Sequence, residues 1–378
     1  MSDEGNSSVL PNRMLAVFCA PSRYVQGVNA TSELGEVLTA MGLTGPALIV
    51  ASDRVETALG PVWASTLGRA GIPYVVHRFH GECTQTEINA GAAAARAAGS
   101  ATVIGAGGGK ALDASRAIAA ECGLHTVNCP TLASSDAPCS ALSVVYTDDG
   151  SFDRYLFYRR NPDLVLVDTS IIARAPERYL VGGMGDALAT WFEARTVIEA
   201  RQPNQLQGAT TRTAEALAKL CYETLLADGP AALAAVRAGS GTPALERIVE
   251  ANTLLSGLGF ESGGLAIAHS VHNGLTMAPA THQYLHGEKV AFGLLVQLVV
   301  EGRPQSEFTE VVRFSREVGL PTSLAEVGLA DAGIDMLRSI AERTVAPGET
   351  AHHEPFAVSA DMILDGIRAA DSVARSIQ

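Results

Sequence analysis

The sequence predicts an α/β fold with a mostly parallel, Rossmann-like sheet in its first half and an all-helical second half. From residue 14 to about residue 168, short β-branched runs alternate with alanine-rich segments. This alternation is typical of a parallel sheet covered by helices. Beyond about residue 175 the strand signals stop and long stretches have helical periodicity. At 378 residues the chain is also longer than one hydrophobic core usually grows, which favours two domains.

Each element has its own signal in the chain. The predicted strands are ALIVA at 47–51, YVVHRF at 74–79, TVIGA at 102–106 and LVLVD at 164–168. The predicted helices of the second half lie at 178–200, 205–227, 244–258, 287–301 and 360–376. Two pairs, Thr84 with Glu87 and Asp53 with Glu56, have the spacing of helix capping boxes. We therefore expect a loose polar tail at 1–13, a cofactor-binding α/β domain at 14–177 and an all-helical domain at 178–378, with the active site between the two domains.

Composition narrows the functional classes. The formal net charge is −13 and no run of lysine or arginine is long enough to follow a phosphate backbone, so nucleic acid and anionic membrane surfaces are not expected partners. No stretch reaches about 18 uninterrupted apolar residues, and the first residues lack the order of a secretion signal. Six scattered cysteines without a C-x-x-C pair predict reduced thiols and a cytoplasmic protein.

A glycine-rich loop follows the predicted strand 102–106. The segment GAGGGK at 105–110 joins that strand to the helical pattern ALDASRAIAAE, so backbone N–H groups and a helix N-terminus would face a bound phosphate. The loop matches neither G-x-G-x-x-G nor a Walker A motif. Either it is a tight turn that needs glycine, or it binds the pyrophosphate of a dinucleotide, which three consecutive glycines and Lys110 favour.

Asp53 follows the strand 47–51. An acidic side chain there can accept hydrogen bonds from a ribose 2′-hydroxyl and repel a 2′-phosphate, which would favour NAD over NADP. The alternative is that Asp53 only caps the helix that begins beside it. The sequence leaves both interpretations open.

One carboxylate and two imidazoles are candidate metal ligands. Asp186 lies near the start of a predicted helix, where an aspartate usually caps, and His269 and His286 lie in apolar segments, where a histidine is usually a hydrogen-bonded core residue. Together they would form a three-ligand zinc shell with a fourth position open for substrate oxygen, the arrangement of a catalytic site. His272, one helical turn from His269, is either a core residue or a partner of the site in proton transfer.

At these residues the chain resembles the glycerol dehydrogenase branch of the iron-containing alcohol dehydrogenase superfamily over nearly its whole length. The matching segments are GAGGGKALDA at 105–114, PTLASSDAPCSALSVVYTDDG at 130–150, NPDLVLVD at 161–168, GGMGDALATWFEA at 182–194, NTLLSGLGFESGGLAIAHSVHNGLT at 252–276 and HGEKVAFGLLVQLV at 286–299. The resemblance implies the dehydroquinate synthase-like superfold of that superfamily. Ala111 departs from the pattern, since many relatives have a threonine after the lysine.

The resemblance also implies roles for individual residues. Asp186, His269 and His286 occupy the metal-ligand positions, and Asp136 occupies a substrate-contacting position. Thr190 stands where iron-dependent relatives have a fourth ligand, histidine, which is similar to the zinc-dependent subgroup. The implied cofactor contacts are Asp53 at the adenosine ribose, Gly108, Gly109 and Lys110 at the phosphates, and Thr131, Ser134, Ser140, Leu142 and Tyr146 near the nicotinamide.

The expected activity is zinc- and NAD-dependent oxidation of glycerol, a small polyol, to dihydroxyacetone by a cytoplasmic homo-oligomer, an octamer by the same resemblance. Three alternatives remain at this stage. The substrate is instead 1,2-propanediol, an amino alcohol or another vicinal diol; the chain is a lyase similar to dehydroquinate synthase, although the motif neighbourhoods are poor in lysine and arginine; or it is a catalytically inactive homologue, against which the Asp/His/His set argues.

Overall fold

Six parallel strands form the central sheet of the first half. The structure, a computed structural model, describes residues 14–150 and 152–377, and the predicted tail at 1–13 lies outside the described residues. Every pair of neighbouring strands is parallel, in the order β1-β8-β5-β4-β2-β3. The strands are β1 (Tyr24–Gly27), β2 (Ala47–Ala51), β3 (Tyr74–Arg78), β4 (Thr102–Gly107), β5 (His125–Pro130) and β8 (Leu164–Asp168).

Continuous burial explains why these runs form the sheet. All residues of β2 and of β8 are buried, as expected where helices cover both faces of a parallel sheet. The helices of this half are α1 (Leu34–Ala40), α2 (Asp53–Arg69), α3 (Gln85–Ala97) and α4 (Gly109–Cys122). The predicted fold class is confirmed, and all four predicted strands are present. The sequence pattern did not predict β1, β5 or the antiparallel hairpin of β6 (Leu142–Tyr146) and β7 (Phe152–Phe157), which are short, polar or outside the parallel pattern.

The strand order predicts a crevice at the carboxyl ends of the neighbouring strands β2 and β4. The chain passes from β2 outward to β3 and then returns to the other side of β2 to form β4. In open parallel sheets, ligands bind outside the carboxyl ends of the strands at such a reversal. Asp53 follows β2 and the glycine loop follows β4, so both lie at this crevice.

In the described residues, all elements after β8 are helices. They are α5 (Thr169–Ile172), α6 (Glu177–Ala200), α7 (Arg212–Arg237), α8 (Pro243–Glu250), α9 (Ser256–Gly263), α10 (Ile267–Leu275), α11 (His286–Val300), α12 (Gln305–Val318), α13 (Ile334–Thr344) and α14 (Ala360–Ser376). A π-helical turn, Ala251–Leu255, joins α8 to α9. None of the described helices has the length and apolar character needed to cross a bilayer.

Some predicted boundaries were wrong. The helix predicted at 205–227 is α7, which begins at Arg212 because the Thr211 side chain caps it, and which continues through the alanine-rich segment to Arg237. The capping interpretation of Asp53 was also wrong: Ser52 is the N-cap of α2, and its side chain accepts the Val55 N–H. Thr84 does cap α3 by accepting the Glu87 N–H.

The division into domains at 177/178 remains a prediction. The switch from strands to helices supports it, yet the segment around Ala16 forms a bridge with Ala209, and the Cys19 N–H donates to Ser262 Oγ. The first residues of the predicted α/β domain therefore lie against the helical half.

Glycines in α6 permit close contact between the two halves. A Cβ atom on Gly183 would lie 2.0 Å from the carbonyl oxygen of Ala133, which follows β5, and 2.4 Å from Asn252 Nδ2. Asn252, in the π-helical turn, donates to the carbonyl oxygens of both Ala133 and Leu180. Backbone contact at Gly183 thus fixes α6 against the loop after β5.

We expect Gly183→Ala to lower the midpoint of thermal unfolding, because an added methyl group would force backbone apart at a cost of at least about 1–3 kcal/mol. The matched control is Gly68→Ala in α2, where a Cβ would have no atom within 4 Å and alanine favours the helix. Calorimetry at one scan rate compares the two variants. Equal midpoints would contradict the close-contact account.

Candidate metal centre and cofactor crevice

Three side chains from three helices converge where the helical half meets the sheet. Nε2 of His269 and Nε2 of His286 lie 3.4 and 3.1 Å from Asp186 Oδ1. Each residue offers one ligand atom, and these three atoms all lie within 4.8 Å of one another. Ligands about 2.1 Å from a tetrahedral zinc ion lie about 3.4 Å apart, so the cluster has the dimensions of a metal site.

Asp186 lies in the middle of α6 and is fully buried, so the capping interpretation of this residue was wrong. Its Oδ2 accepts the Asp136 backbone N–H, whereas its buried Oδ1 accepts no hydrogen bond. A buried polar atom without a partner is costly unless another group satisfies it. A cation between Oδ1 and the two imidazoles would do so.

The pKa shifts of the site residues also indicate a bound cation. Burial opposes ionisation of Asp186, but the neighbouring imidazoles of His286 and His269 reverse this effect and hold its pKa below the usual value. Burial likewise opposes protonation of His269, and the carboxylates of Glu193 and Asp186 on either side of its ring raise its pKa well above the usual value. Two buried carboxylates around one imidazole therefore require a positive charge, and a divalent ion matches it.

Glu193 holds His269 from the side opposite Asp186. One carboxylate oxygen lies 2.6 Å from His269 Nδ1, and the other accepts the N–H groups of Ala266 and His269 at the start of α10. Those N–H groups have no partner within their own helix, so Glu193 caps α10 as well as orienting the ring. With Nδ1 held by Glu193, Nε2 is the nitrogen that could bind a metal ion beside Asp186 once it has lost its proton.

A second chain of hydrogen bonds fixes His286. Glu349 accepts from the Asn273 amide, which leaves Asn273 Oδ1 to accept from His272 Nδ1 at 3.1 Å. His272 Nε2 can then accept from His286 Nδ1 at 3.0 Å, which leaves the lone pair of His286 on Nε2. Burial lowers the pKa of His272 well below its usual value, so this imidazole is neutral and can accept. His272 thus contacts a candidate metal ligand directly, while its role in proton transfer remains a prediction.

Thr190 is not one of the three candidate metal ligands. Its Oγ1 lies 2.8 Å from Ser256 Oγ, and Ser256 in turn donates to Asp136 Oδ2 at 2.9 Å. The residue where some relatives have a histidine ligand therefore supports Asp136. Burial and then the nearby Asp186 carboxylate raise the pKa of Asp136 well above its usual value. Asp136 connects this cluster to the cofactor crevice, because it lies in the loop between β5 and β6.

The glycine loop has the form expected for phosphate binding. β4 ends at Gly107, Gly108 is the N-cap of α4, and Gly109 begins that helix, so its free N–H groups face the crevice. Lys110, in the first turn, forms an ion pair with Glu82, and its Nζ lies 5.5 Å from the centre of the Tyr146 ring. The lysine is about half exposed, so it is accessible to a ligand.

The other expected cofactor residues lie on the loop after β5 and on β6, which belongs to the separate hairpin. The Thr131 N–H donates to the Gly107 carbonyl, so the loop after β5 is joined to the glycine loop. Ser134 and Ser140 lie on that loop, before and after Asp136, while Leu142 and Tyr146 are the first and last residues of β6. Contact of these residues with a cofactor remains a prediction.

Sequence reasoning missed Glu193 and Ser256. Glu193 is seven residues after Asp186, which is two turns on the same face of one helix, and an acid in so apolar a run was an available signal. No comparable signal marks Ser256, because a serine in a buried helix is common and its role depends on a contact with a distant loop.

Comparisons with known proteins agree with this geometry. A family model described as iron-containing alcohol dehydrogenase matches residues 21–169. A glycerol dehydrogenase of Thermotoga maritima is 48% identical over 96% of this chain and 98% of its own length. A glycolaldehyde reductase of Halobacterium salinarum is 45% identical over 97% of this chain and 100% of its own. The crystal structure of glycerol dehydrogenase from Schizosaccharomyces pombe has a TM-score of 0.91 and 36% identity, covering 97% of this chain and 92% of that one.

We expect Glu193→Gln to weaken zinc binding by about 10- to 100-fold, because the amide holds the His269 imidazole less firmly than a carboxylate does. Glu199→Gln, the same change farther along α6 at a residue 46% exposed, is the control and should leave affinity unchanged. Competition with a chromophoric chelator measures both. Equal affinities in the two variants would contradict the role of Glu193.

Proposed function

The chain belongs to the iron-containing alcohol dehydrogenase family, and from this premise we propose that it oxidises glycerol to dihydroxyacetone with NAD and a bound zinc ion. The observation that carries the proposal is the convergence of Asp186, His269 and His286 beside the Asp136 loop, which is hydrogen-bonded to the glycine turn. The substrate follows from relatives named glycerol dehydrogenase at 46–48% identity over nearly the full chain.

Zinc is the metal that the donor set favours. Two neutral imidazoles and one carboxylate are borderline ligands, and three protein ligands with one open position are characteristic of catalytic zinc. When bound, zinc supplies Lewis acidity that favours the deprotonated form of a substrate hydroxyl near neutral pH. Thr190 supports the three-ligand set, because its hydroxyl is engaged with Ser256.

The chain's own residues would orient the reactants. The free N–H groups at the start of α4 and the side chain of Lys110 would hold the cofactor phosphates, with Asp53 at the adenosine ribose. Thr131, Ser134, Ser140, Leu142 and Tyr146 would line the nicotinamide side. NAD supplies the acceptor for the hydride that leaves the secondary carbon of glycerol.

Asp136 would bind the substrate at the junction of the two sites. Its carboxyl group is held by Ser256 and its backbone N–H by Asp186, so it is fixed relative to the candidate metal ligands. A fixed carboxyl group can form a hydrogen bond with a second hydroxyl of a polyol. This arrangement favours substrates with neighbouring hydroxyls over simple alcohols.

Other substrates define the competing candidates. The glycolaldehyde reductase of similar identity makes a two-carbon hydroxyaldehyde the second candidate, with the reaction running in the reductive direction. 1,2-Propanediol and amino alcohols remain alternatives within the same chemistry. A lyase similar to dehydroquinate synthase is disfavoured, because relatives covering nearly the full chain are named as dehydrogenases or reductases.

Assembly and location are proposals of the same kind. The resemblance supports a cytoplasmic homo-oligomer, an octamer, and all six cysteines are free, in accord with a reducing compartment. The separation into a cofactor domain at 14–177 and a helical domain at 178–378 is also proposed, on the basis of where the strands end.

We expect the purified protein to produce NADH from glycerol in a zinc-dependent manner, with a higher kcat/KM than for 1,2-propanediol, an amino alcohol or, in reverse, glycolaldehyde. Removal of zinc by a chelator should stop the reaction, and added zinc should restore it. Absorbance at the NADH band measures each rate. Full turnover by protein that elemental analysis finds free of metal would contradict the proposal.

Two variants separate loss of the site from loss of the fold. Asp186→Asn should lower kcat/KM by about 10²- to 10³-fold, because a neutral amide would bind weakly the metal ion that stabilises negative charge on the substrate oxygen. Asp361→Asn makes the same change at a residue 79% exposed on α14 and should retain activity. Circular dichroism should report the same helix content for both.

A further inference from the structure

A charged cavity lies at the carboxyl ends of β2 and β3, beside Asp53. It has a volume of about 360 Å³. Its charged or titratable lining residues are Asp53, Arg54, Arg78 and His80. Two guanidinium groups in a small cavity make a site suited to an anion.

Strand register brings the opposite charges together. Ala51 pairs with Arg78, the last residue of β3, and the Phe79 N–H donates to the Ala51 carbonyl. Asp53 therefore begins α2 directly beside the end of β3. The two side chains form an ion pair, with Arg78 Nη2 2.8 Å from Asp53 Oδ2. Both side chains are more than half exposed, so water and a ligand can reach the pair.

Asp53 is the cavity's single carboxylate, and it uses one of its oxygens for Arg78. Among the described residues, Arg54 forms no ion pair. With Asp53 present, the carboxylate and Arg78 neutralise each other; without it, both arginines would be available to an anion. A phosphate monoester carries nearly two negative charges at pH 7, which two guanidinium groups would balance.

We propose that Arg78 is a positioning residue for the Asp53 carboxylate, which is already expected at the adenosine ribose, and that the same Arg78 guanidinium is a latent ligand for the 2′-phosphate of NADP. This inference rests on the proposed function, because it needs the adenosine ribose of the cofactor at Asp53. In the native chain, Arg78 holds Asp53 so that the other carboxylate oxygen accepts from the ribose hydroxyls. When the carboxylate is removed, the same guanidinium faces a 2′-phosphate, for which its planar fork is well suited.

Two features separate this pair from an ordinary surface salt bridge. Both residues lie at the carboxyl edge of the sheet, at the strand reversal where cofactors bind. Ser52, Asp53 and Arg54, at the N-terminus of α2, also line the cavity, and a helix N-terminus carries partial positive charge. Asp53 is then what makes the cavity unfavourable for a phosphate.

The test is a double-mutant cycle with Asp53→Ser, Arg78→Ala and the combined variant. Asp53→Ser should raise kcat/KM for NADP by about tenfold or more, and adding Arg78→Ala should remove most of that gain, since a hydrogen bond to a charged group is worth about ten- to a hundredfold. Arg78→Ala alone should weaken NAD use a few-fold. Arg69→Ala, the same change at the far end of α2, is the control and should leave both cofactors unaffected.

Calorimetric binding of ADP-ribose and of its 2′-phosphorylated form gives a readout that is independent of turnover. The phosphorylated ligand should bind most tightly to Asp53→Ser and lose that advantage in the double variant. If the double variant binds it and uses NADP as well as Asp53→Ser does, the inference is overturned. If the wild type makes no NADH from glycerol while the binding pattern holds, the proposed substrate fails and this inference stands.

Discussion

The structure around the candidate site depends on how the negative charge of two buried carboxylates is balanced by hydrogen bonds or by a cation. Asp186 and Glu193 lie on one face of α6 without exposure to water, and a single imidazole, that of His269, separates them. Isolated charges cannot remain in such an interior, so each carboxylate needs hydrogen bonds or a cation. Glu193 finds its partners in the N-terminus of α10, whereas Asp186 Oδ1 has none and faces two imidazole nitrogens. This difference between two acids on one helix separates a supporting residue from a candidate metal ligand.

Backbone contact makes this convergence possible. α6 carries glycines where it meets the loop after β5 and the start of α11: a Cβ atom on Gly287 would lie 1.8 Å from the Gly182 carbonyl oxygen. Because the backbones touch, Asp186 on α6 and His286 at the first position of α11 come within 3.1 Å. The loop after β5 contains Asp136 and is hydrogen-bonded to the glycine turn through the Thr131 N–H and the Gly107 carbonyl. It therefore lies against both the segment that would hold the cofactor and Asp186 on α6.

The sequence predicted the components of this site better than their surroundings. Continuous apolar runs identified β2 and β8, and the glycine loop identified the start of α4, because these are local signals of burial and backbone conformation. Polar strands such as β5 were missed, since burial by tertiary contacts and not composition makes them strands. Asp186, His269 and His286 were candidate ligands by residue type, and the resemblance supported the set. Because 83 residues separate the first two, no local pattern could show that they meet. Glu193, the chain through His272 to Glu349 and the Asp53–Arg78 pair all depend on contacts between distant segments, which only the fold supplies.

The most direct measurement is anomalous diffraction at the zinc edge from crystals of the zinc-loaded protein. The account predicts one strong peak per chain, about 2.0–2.2 Å from Asp186 Oδ1, His269 Nε2 and His286 Nε2. The account would be contradicted by an anomalous peak at another place in the chain, or by the absence of a peak between these three side chains.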